Sequence, residues 1–482
     1  MTIRKKTQLI TYPDGLGGNL DTLNQLLLGH FADLFQGGIH ILPPFPSSAD
    51  RGFAPTTYRE IDPAFGTWDD IGDIGKNFDI TMDLMVNHIS RQSVYVQDFM
   101  AKGRRSEYAD LFITLDKVWP DGNPLPEDIS RIFLRKPEHP FLDIEIAQTR
   151  TVERVWASFG PRADWSEQID LDVHSVATRR FFERTFEHFA EQSVRMVRLD
   201  AVGYVIKKPG TSCFMVEPDV YEFIDWLTDV AHRVGIELLP EVHAHYTTQL
   251  QLAGHGYWVY DFVLPALILH TLFSRSSRKL KNYLKICPRN QFTMLDCHDG
   301  IPVQPDLDDI LTVDESRRVV DMCLSRGANL NRMLSPNGVV DGFDVHQINC
   351  TYYSALGGSD DAYLAARAIQ LFAPGIPQIY YVGLLAGEND LEGVEQTGEG
   401  RAINRHNFSV QEVEQALQKN VVQKLFNLIR LRDRHLAFEG TFEIAECSDT
   451  ELILSWRHQD HSCQLHVDLL TSQALIEHTD PA

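Results

Sequence analysis

The chain has 482 residues, 43% hydrophobic and 23% charged, with 44 Lys and Arg against 67 Asp and Glu for a formal net charge of −23. That length holds one large core with smaller attached domains. The acidic surplus repels phosphodiester backbones and anionic lipid, and no basic run reverses it locally, so nucleic acid and membrane surfaces are excluded as first readings.

Short aliphatic or β-branched runs followed by longer amphipathic helices recur along the chain, which predicts a parallel sheet with helical crossovers. Eight strands are read at Gln8–Tyr12, Gly38–Leu42, Thr81–Val86, Val194–Leu199, Glu237–Leu239, Val259–Leu264, Gln291–Leu295 and Pro377–Val382. Helical periodicity fills Leu20–Phe35, Ser175–Gln192, Glu217–Val234 and Asp360–Phe372. Eight β/α units predict a TIM barrel. Two interruptions are too long for ordinary loops and read as insertions. The expected barrel is residues 1–87, 168–300 and 358–436, with an inserted domain at 88–167 and a second at 301–357. The second carries Pro302, Pro305, the acidic run Asp306–Asp309 and the Gly/Asn/Pro-rich segment Arg326–Gly342. Residues 437–482 alternate in short strands (Gly440–Ala445, Glu451–Arg457, Gln464–Leu469) and predict a small antiparallel C-terminal domain.

No apolar run reaches the roughly 18–20 residues of a membrane helix, and Met1-Thr-Ile-Arg-Lys-Lys6 leads into a strand with no signal-peptide core. A cytoplasmic protein is expected. Seven cysteines with no CxxC pair predict reduced thiols, most of them small core residues.

Polar residues just past barrel strands point into the mouth where TIM-barrel chemistry occurs. Strand three ends in Asn87-His88, strand four in Arg198-Leu-Asp200, strand five in Glu241-Val-His243 and strand seven in His298-Asp299. A single acid at a strand end is more often a helix cap. Three converging acids are the equipment for cleaving a sugar acetal: one attacks the anomeric carbon, one protonates the departing oxygen and a third steadies the distorted sugar. Arg198, two residues before Asp200 in an extended strand, lies on the same face and is expected to keep Asp200 ionised as nucleophile. Glu241 follows an apolar strand with no cation adjacent in sequence and is read as the acid, then base.

Val197-Arg-Leu-Asp-Ala-Val-Gly203, Pro240-Glu-Val-His243 and His298-Asp299, with Asp62 and Asn87-His88 before them, resemble the motif segments of the α-amylase family, glycoside hydrolase family 13. Gly203-Tyr204 with Pro209–Phe214, Tyr260-Asp-Phe262, Asp344-Val-His-Gln-Ile-Asn349 with Thr351–Leu356, and Gly400-Arg-Ala-Ile-Asn-Arg-His406 resemble the sucrose phosphorylase subfamily. The likeness runs from Tyr12 to about residue 436. It implies double displacement with retention: Asp200 forms a β-glucosyl-enzyme, Glu241 protonates the leaving group, Asp299 stabilises the transition state, and phosphate takes the glucosyl group as α-glucose 1-phosphate. It also implies a glucose site of Asp50, Phe53, His88, Phe159, Arg198, His298 and Arg401, with Tyr204 among the substrate-binding residues. No metal and no cofactor are expected, and Asn87 is read as a structural hydrogen-bonder. A homodimer is left open.

Phosphorolysis demands that a dianion be bound in a strongly negative protein. Candidate cations are Arg135, Lys136, Arg332 and His346, against the alternative of solvated loop charges. Asp344 and Gln347 match the subfamily's fructose-handling pattern, but His346 stands where ordinary sucrose phosphorylases carry Tyr, and Arg135-Lys136 departs from their usual Pro-Arg. Both departures resemble variants that act on sucrose 6′-phosphate, where a second phosphate needs its own cations. The donor is therefore read as sucrose 6′-phosphate, or sucrose. The alternatives are an ordinary sucrose phosphorylase, a retaining α-glucosidase or transglucosylase with the same triad, and a carbohydrate-binding relative without activity.

Overall fold

The computed structural model describes residues 3–161, 164–304, 307–335 and 338–479. Pro305 and Asp306 and the side chain of Asp50 lie outside the described residues. Eight parallel strands form the central sheet: β1 (Gln8–Thr11), β2 (Gly38–Ile41), β3 (Ile80–Met85), β4 (Val194–Asp200), β5 (Glu237–Pro240), β6 (Val259–Asp261), β7 (Gln291–Thr293) and β8 (Ile376–Tyr380). Their order is β6-β7-β8-β1-β2-β3-β4-β5, the cyclic order of a (β/α)8 barrel. β1, near the N-terminus, pairs with β8, Gln8 facing Gln378.

The chain divides into two compact units, one of Ile41–Val242 with Met333–Val339, the other of Thr2–His40, His243–Arg332 and Val340–Ala482. In the first, the helix Val176–Glu191 starts at Ser175, whose side chain accepts from the Ala177 amide. Phe182, Phe186 and Phe189 recur on its inner face and are fully buried. The segment after β3 has a core of its own: Trp119 and Trp156 stack at 5.7 Å, with Phe141, Ile132 and Cys213 around them. Cys213 belongs to the Pro209–Phe214 motif, which is thereby anchored by packing.

In the second unit, strands Ile301–Pro302, Asn329–Arg332 and Val345–Asn349 form an antiparallel sheet after β7. The C-terminal sheet has four antiparallel strands: β9 (Thr441–Ile444), β10 (Glu451–His458), β11 (His461–Asp468) and β12 (Gln473–His478). Trp456 on β10 donates its indole N–H to the Phe372 carbonyl, tying this sheet to the helix Asp360–Phe372.

Three expected boundaries shift for identifiable reasons. The first helix is Leu20–Leu28, not Leu20–Phe35, because the chain turns at Gly29; Phe31 is still buried, packed edge-on to Phe426. β6 stops at Asp261, not Leu264, because the Asp261 carboxylate accepts from the Val263 and Leu264 amides and starts a helix there. β8 stops at Tyr380, and Val382 lies in the short helix Tyr381–Leu384. All seven cysteines are free thiols, six of them buried.

Candidate active site

In the first unit, Asp200 is the last residue of β4 and Glu241 directly follows β5. Arg198, 3% exposed, joins them: Nη1 lies 3.1 Å from Asp200 Oδ1 and Nη2 lies 3.0 Å from Glu241 Oε1. Nη1 also donates to Asp83 on β3, whose carboxylate is fully buried. The expectation that Glu241 lacks a cation is corrected here. The sheet register sets Leu199 against Pro240, so Arg198 on the neighbouring strand reaches Glu241 although nothing adjacent in sequence does. Ala201 has φ +56°, and its amide faces Glu241 Oε2 at 3.4 Å, so the chain turns sharply straight after Asp200.

Aromatic rings build the rest of this half. Phe53 lies under the Arg198 guanidinium at 5.7 Å, and its carbonyl meets the His88 ring at 3.1 Å. Phe159 packs against His88 at 5.2 Å and edge-on to Tyr204 at 4.9 Å. Arg135 stands 5.9 Å above Phe159 and hydrogen-bonds Tyr204. Burial pushes the Tyr204 phenol up to about 12 although Arg135 pulls it down, so at neutral pH it is a neutral hydrogen-bonding group. Lys136 is 4% exposed, where burial lowers its pKa and Asp170 opposes that; it is no solvated loop charge.

Sequence reasoning passed over Lys207. Its ammonium donates to Asn87 Oδ1 at 2.9 Å, to Ser158 Oγ at 3.1 Å and to the Tyr204 carbonyl, and pairs with Asp170 Oδ2 at 2.7 Å. Its side chain is 2% exposed. One buried cation thus fastens the end of β3 and the inserted segment to the turn that carries Tyr204.

In the second unit, Asp299 lies in the loop after β7. Arg401 Nη1 lies 3.1 Å from its Oδ1 and His243 Nε2 lies 3.7 Å from its Oδ2. Burial alone would raise the Asp299 carboxyl, but Arg401, His298 and His243 outweigh it and hold it well below the usual carboxylate range. His243, within the Pro240–His243 motif but not singled out by the sequence, stacks on Phe262 at 4.1 Å and meets the His346 ring at 5.9 Å. His298 is 4% exposed, edge-on to Tyr12. Asn404 donates to the carbonyls of Cys297 and Asp299 at 3.0 and 2.9 Å, and Arg405 donates to that of His298 at 2.8 Å. The segment bearing Arg401 thereby clamps the loop bearing Asp299. A Cβ at Gly300 would stand 2.6 Å from Asn349 Oδ1 and 2.8 Å from the Ile348 carbonyl, so only glycine lets the loop approach the strand Val345–Asn349 this closely.

His346 and Gln347 lie on that strand, 7% and 1% exposed. Arg332 is ion-paired with Asp344, both side chains partly exposed. The antiparallel register shifts between Asn331 and Arg332, bringing Arg332 opposite Val345 at the strand end, where its guanidinium meets the neighbouring Asp344.

Residues 16–254 match the α-amylase catalytic domain. The chain is 57% identical over 479 residues to the sucrose 6(F)-phosphate phosphorylase of Thermoanaerobacterium thermosaccharolyticum, covering 99% of this chain and 98% of that protein. It is 45% identical over 464 residues to the sucrose phosphorylase of Streptococcus mutans, covering 96% and 95%. The crystal structure of sucrose 6F-phosphate phosphorylase from Thermoanaerobacter thermosaccharolyticum superposes with a TM-score of 0.97 at 56% identity, covering 100% of this chain and 97% of that one.

Proposed function

The chain belongs to the α-amylase family and, within it, to the sucrose phosphorylases, and from that premise we propose that it phosphorolyses sucrose 6′-phosphate to α-glucose 1-phosphate and fructose 6-phosphate. The observation that carries the chemistry is the single buried guanidinium of Arg198 shared by Asp200 and Glu241. Holding both carboxyls on adjacent nitrogens suits the close spacing a covalent glycosyl intermediate needs. Asp83, Asp200 and Glu241 are three carboxyls against one guanidinium, an arrangement that favours one proton among them. In this reading Glu241, at the leaving-group side, carries that proton.

Asp200 attacks the anomeric carbon as Glu241 gives its proton to the departing fructosyl oxygen, leaving a β-glucosyl ester on Asp200. Glu241, now a base, takes the proton of the incoming phosphate, whose oxygen attacks the same carbon from the opposite face and frees Asp200. Asp299, kept ionised by Arg401, His298 and His243, sets negative charge against the oxocarbenium-like transition state. Phe53 and Phe159 cover the sugar, Asp50 and Arg401 hold its hydroxyls, and Gln347 and Asp344 serve the fructosyl unit. Arg135, poised by Tyr204, and His346 receive the phosphate groups. The leaning toward the 6′-phosphate rests on His346 and Arg135 and agrees with the 57% identical relative.

Among the described residues no helix is long and apolar enough to cross a membrane. A phosphorylated donor is held inside cells by its charge, so a cytoplasmic location belongs to this reading. Sedimentation analysis decides the homodimer. The test of function supplies phosphate with either sucrose or sucrose 6′-phosphate and quantifies glucose 1-phosphate: the phosphorylated donor is expected to give the higher kcat/KM. Equal or better turnover of sucrose overturns the donor assignment, and glucose release without phosphate as fast as glucose 1-phosphate formation with it overturns phosphorolysis.

A further inference from the structure

A cavity of about 560 Å³ opens in the second unit among the helices Leu264–Ser274 and Val313–Leu324 and the first turn of the helix Arg278–Ile286. None of its lining residues belongs to the site described above. Phe273 and the 1% exposed Val319 are part of its lining, as are the exposed Arg278 and Arg318, and the Arg326 guanidinium lies 5.0 Å over the Phe273 ring. Lys279 in the same lining is already committed, 2.7 Å from Glu315 Oε2. Arg278 and Arg318 have no carboxylate within 4.0 Å among the described residues. In a chain with 67 acids for 44 bases, two arginines held out of ion pairs at a cavity that Glu315 and Asp321 also line are poorly explained as surface neutralisation. The helix Arg278–Ile286 adds positive potential. Its N-cap residue, Ser277, turns its hydroxyl to the Asp449 and Glu451 carbonyls, 3.1 and 2.6 Å away, and leaves the first turn without a side-chain cap.

We propose that this cavity binds a phosphate monoester of a small sugar. Two guanidiniums, that of Arg278 in the first turn of an uncapped helix and that of Arg318 on the facing helix, match a phosphate in charge and in hydrogen-bond donors. The volume far exceeds what inorganic phosphate fills and leaves room for a sugar ring beside the phosphate. Glu315 and Asp321, also in the lining, would oppose a bare dianion and can accept hydroxyls of a sugar. The proposal is independent of the assignments at the barrel mouth.

Calorimetric titration of the full chain with glucose 6-phosphate tests it, alongside R278S/R318S and the cavity-filling variant M322W. The expected result is that both variants lose at least tenfold in affinity at a site occupied in crystals soaked with the same ligand, while their phosphorolytic kcat/KM and Tm match the parent. Unchanged affinity in both variants overturns the proposal. Sulfate binding as tightly as the sugar phosphate, with the same dependence on the arginines, overturns the sugar-phosphate assignment.

Discussion

Replacing Lys207 by methionine keeps an apolar stem as far as Cε but removes the ammonium, and with it every hydrogen bond it donates and the cation 5.4 Å from the Trp156 ring. Asp170, fully buried, would then lose its only ion-pair partner among the described residues. Breaking a buried pair from one side costs about 3–5 kcal/mol. Asp170 keeps the Ser158 amide at 2.9 Å and its hydroxyl at 2.5 Å, which places the expected cost near the lower end, about 3 kcal/mol. That corresponds to roughly a hundredfold loss of protection against local opening. Hydrogen–deuterium exchange of peptides covering Ser158, Asp170 and Tyr204 reads it directly. Adding Asp170→Asn should restore most of the protection, because the uncompensated charge is then gone. Protection in K207M within threefold of the parent would refute the reasoning, and a double variant no better than the single would show that the ion pair is not what matters.

Three further outcomes are expected. In R401Q, Asp299 loses its arginine; since its folded carboxyl lies below the unfolded value, the lost stability is fully present above about pH 4 and fades as pH falls through the depressed folded value. Urea titrations from pH 3 to 7 check this, and phosphorolysis should fall at least about a hundredfold. H346Y should shift the ratio of kcat/KM for sucrose 6′-phosphate over sucrose toward sucrose by tenfold or more; an unchanged ratio removes His346 from donor selection. Burial lowers the pKa of His406, but hydrogen bonds to Asp390 at 2.8 Å and Glu412 at 3.2 Å win and raise it. Its contribution is therefore full below about pH 6.5 and lost as pH rises through the raised value, so the Tm difference between parent and H406Q should shrink from pH 6 to 9.

The barrel was legible because its strands are apolar runs between amphipathic helices, and each lies within a few residues of its expected place. β12 escaped notice because Gln473–His478 is almost wholly exposed and shows no apolar alternation. At the site, the acids could be read from their places after strands, but their partners are set by register. Arg198 reaches Glu241 across neighbouring strands, and Arg332 reaches Asp344 across an antiparallel pair. Lys207 and Lys208 look alike in sequence. The fold buries one among four oxygens and leaves the other exposed, paired with Asp219 at 2.8 Å.

The pairing of β1 with β8 sets an order of events during synthesis. Gln8 and Gln378 are 370 residues apart, and the Thr7 amide and hydroxyl are held still further along the chain, by Asp433. At about 5–20 residues per second, β1 leaves the ribosome roughly 20–70 s before its partner exists. Throughout that interval it presents an unpaired apolar edge, the kind of surface that seeds misassociation. The nascent chain is thus most exposed at its beginning and is relieved only near its end, so truncations before β8 should accumulate as chaperone-bound or aggregated material.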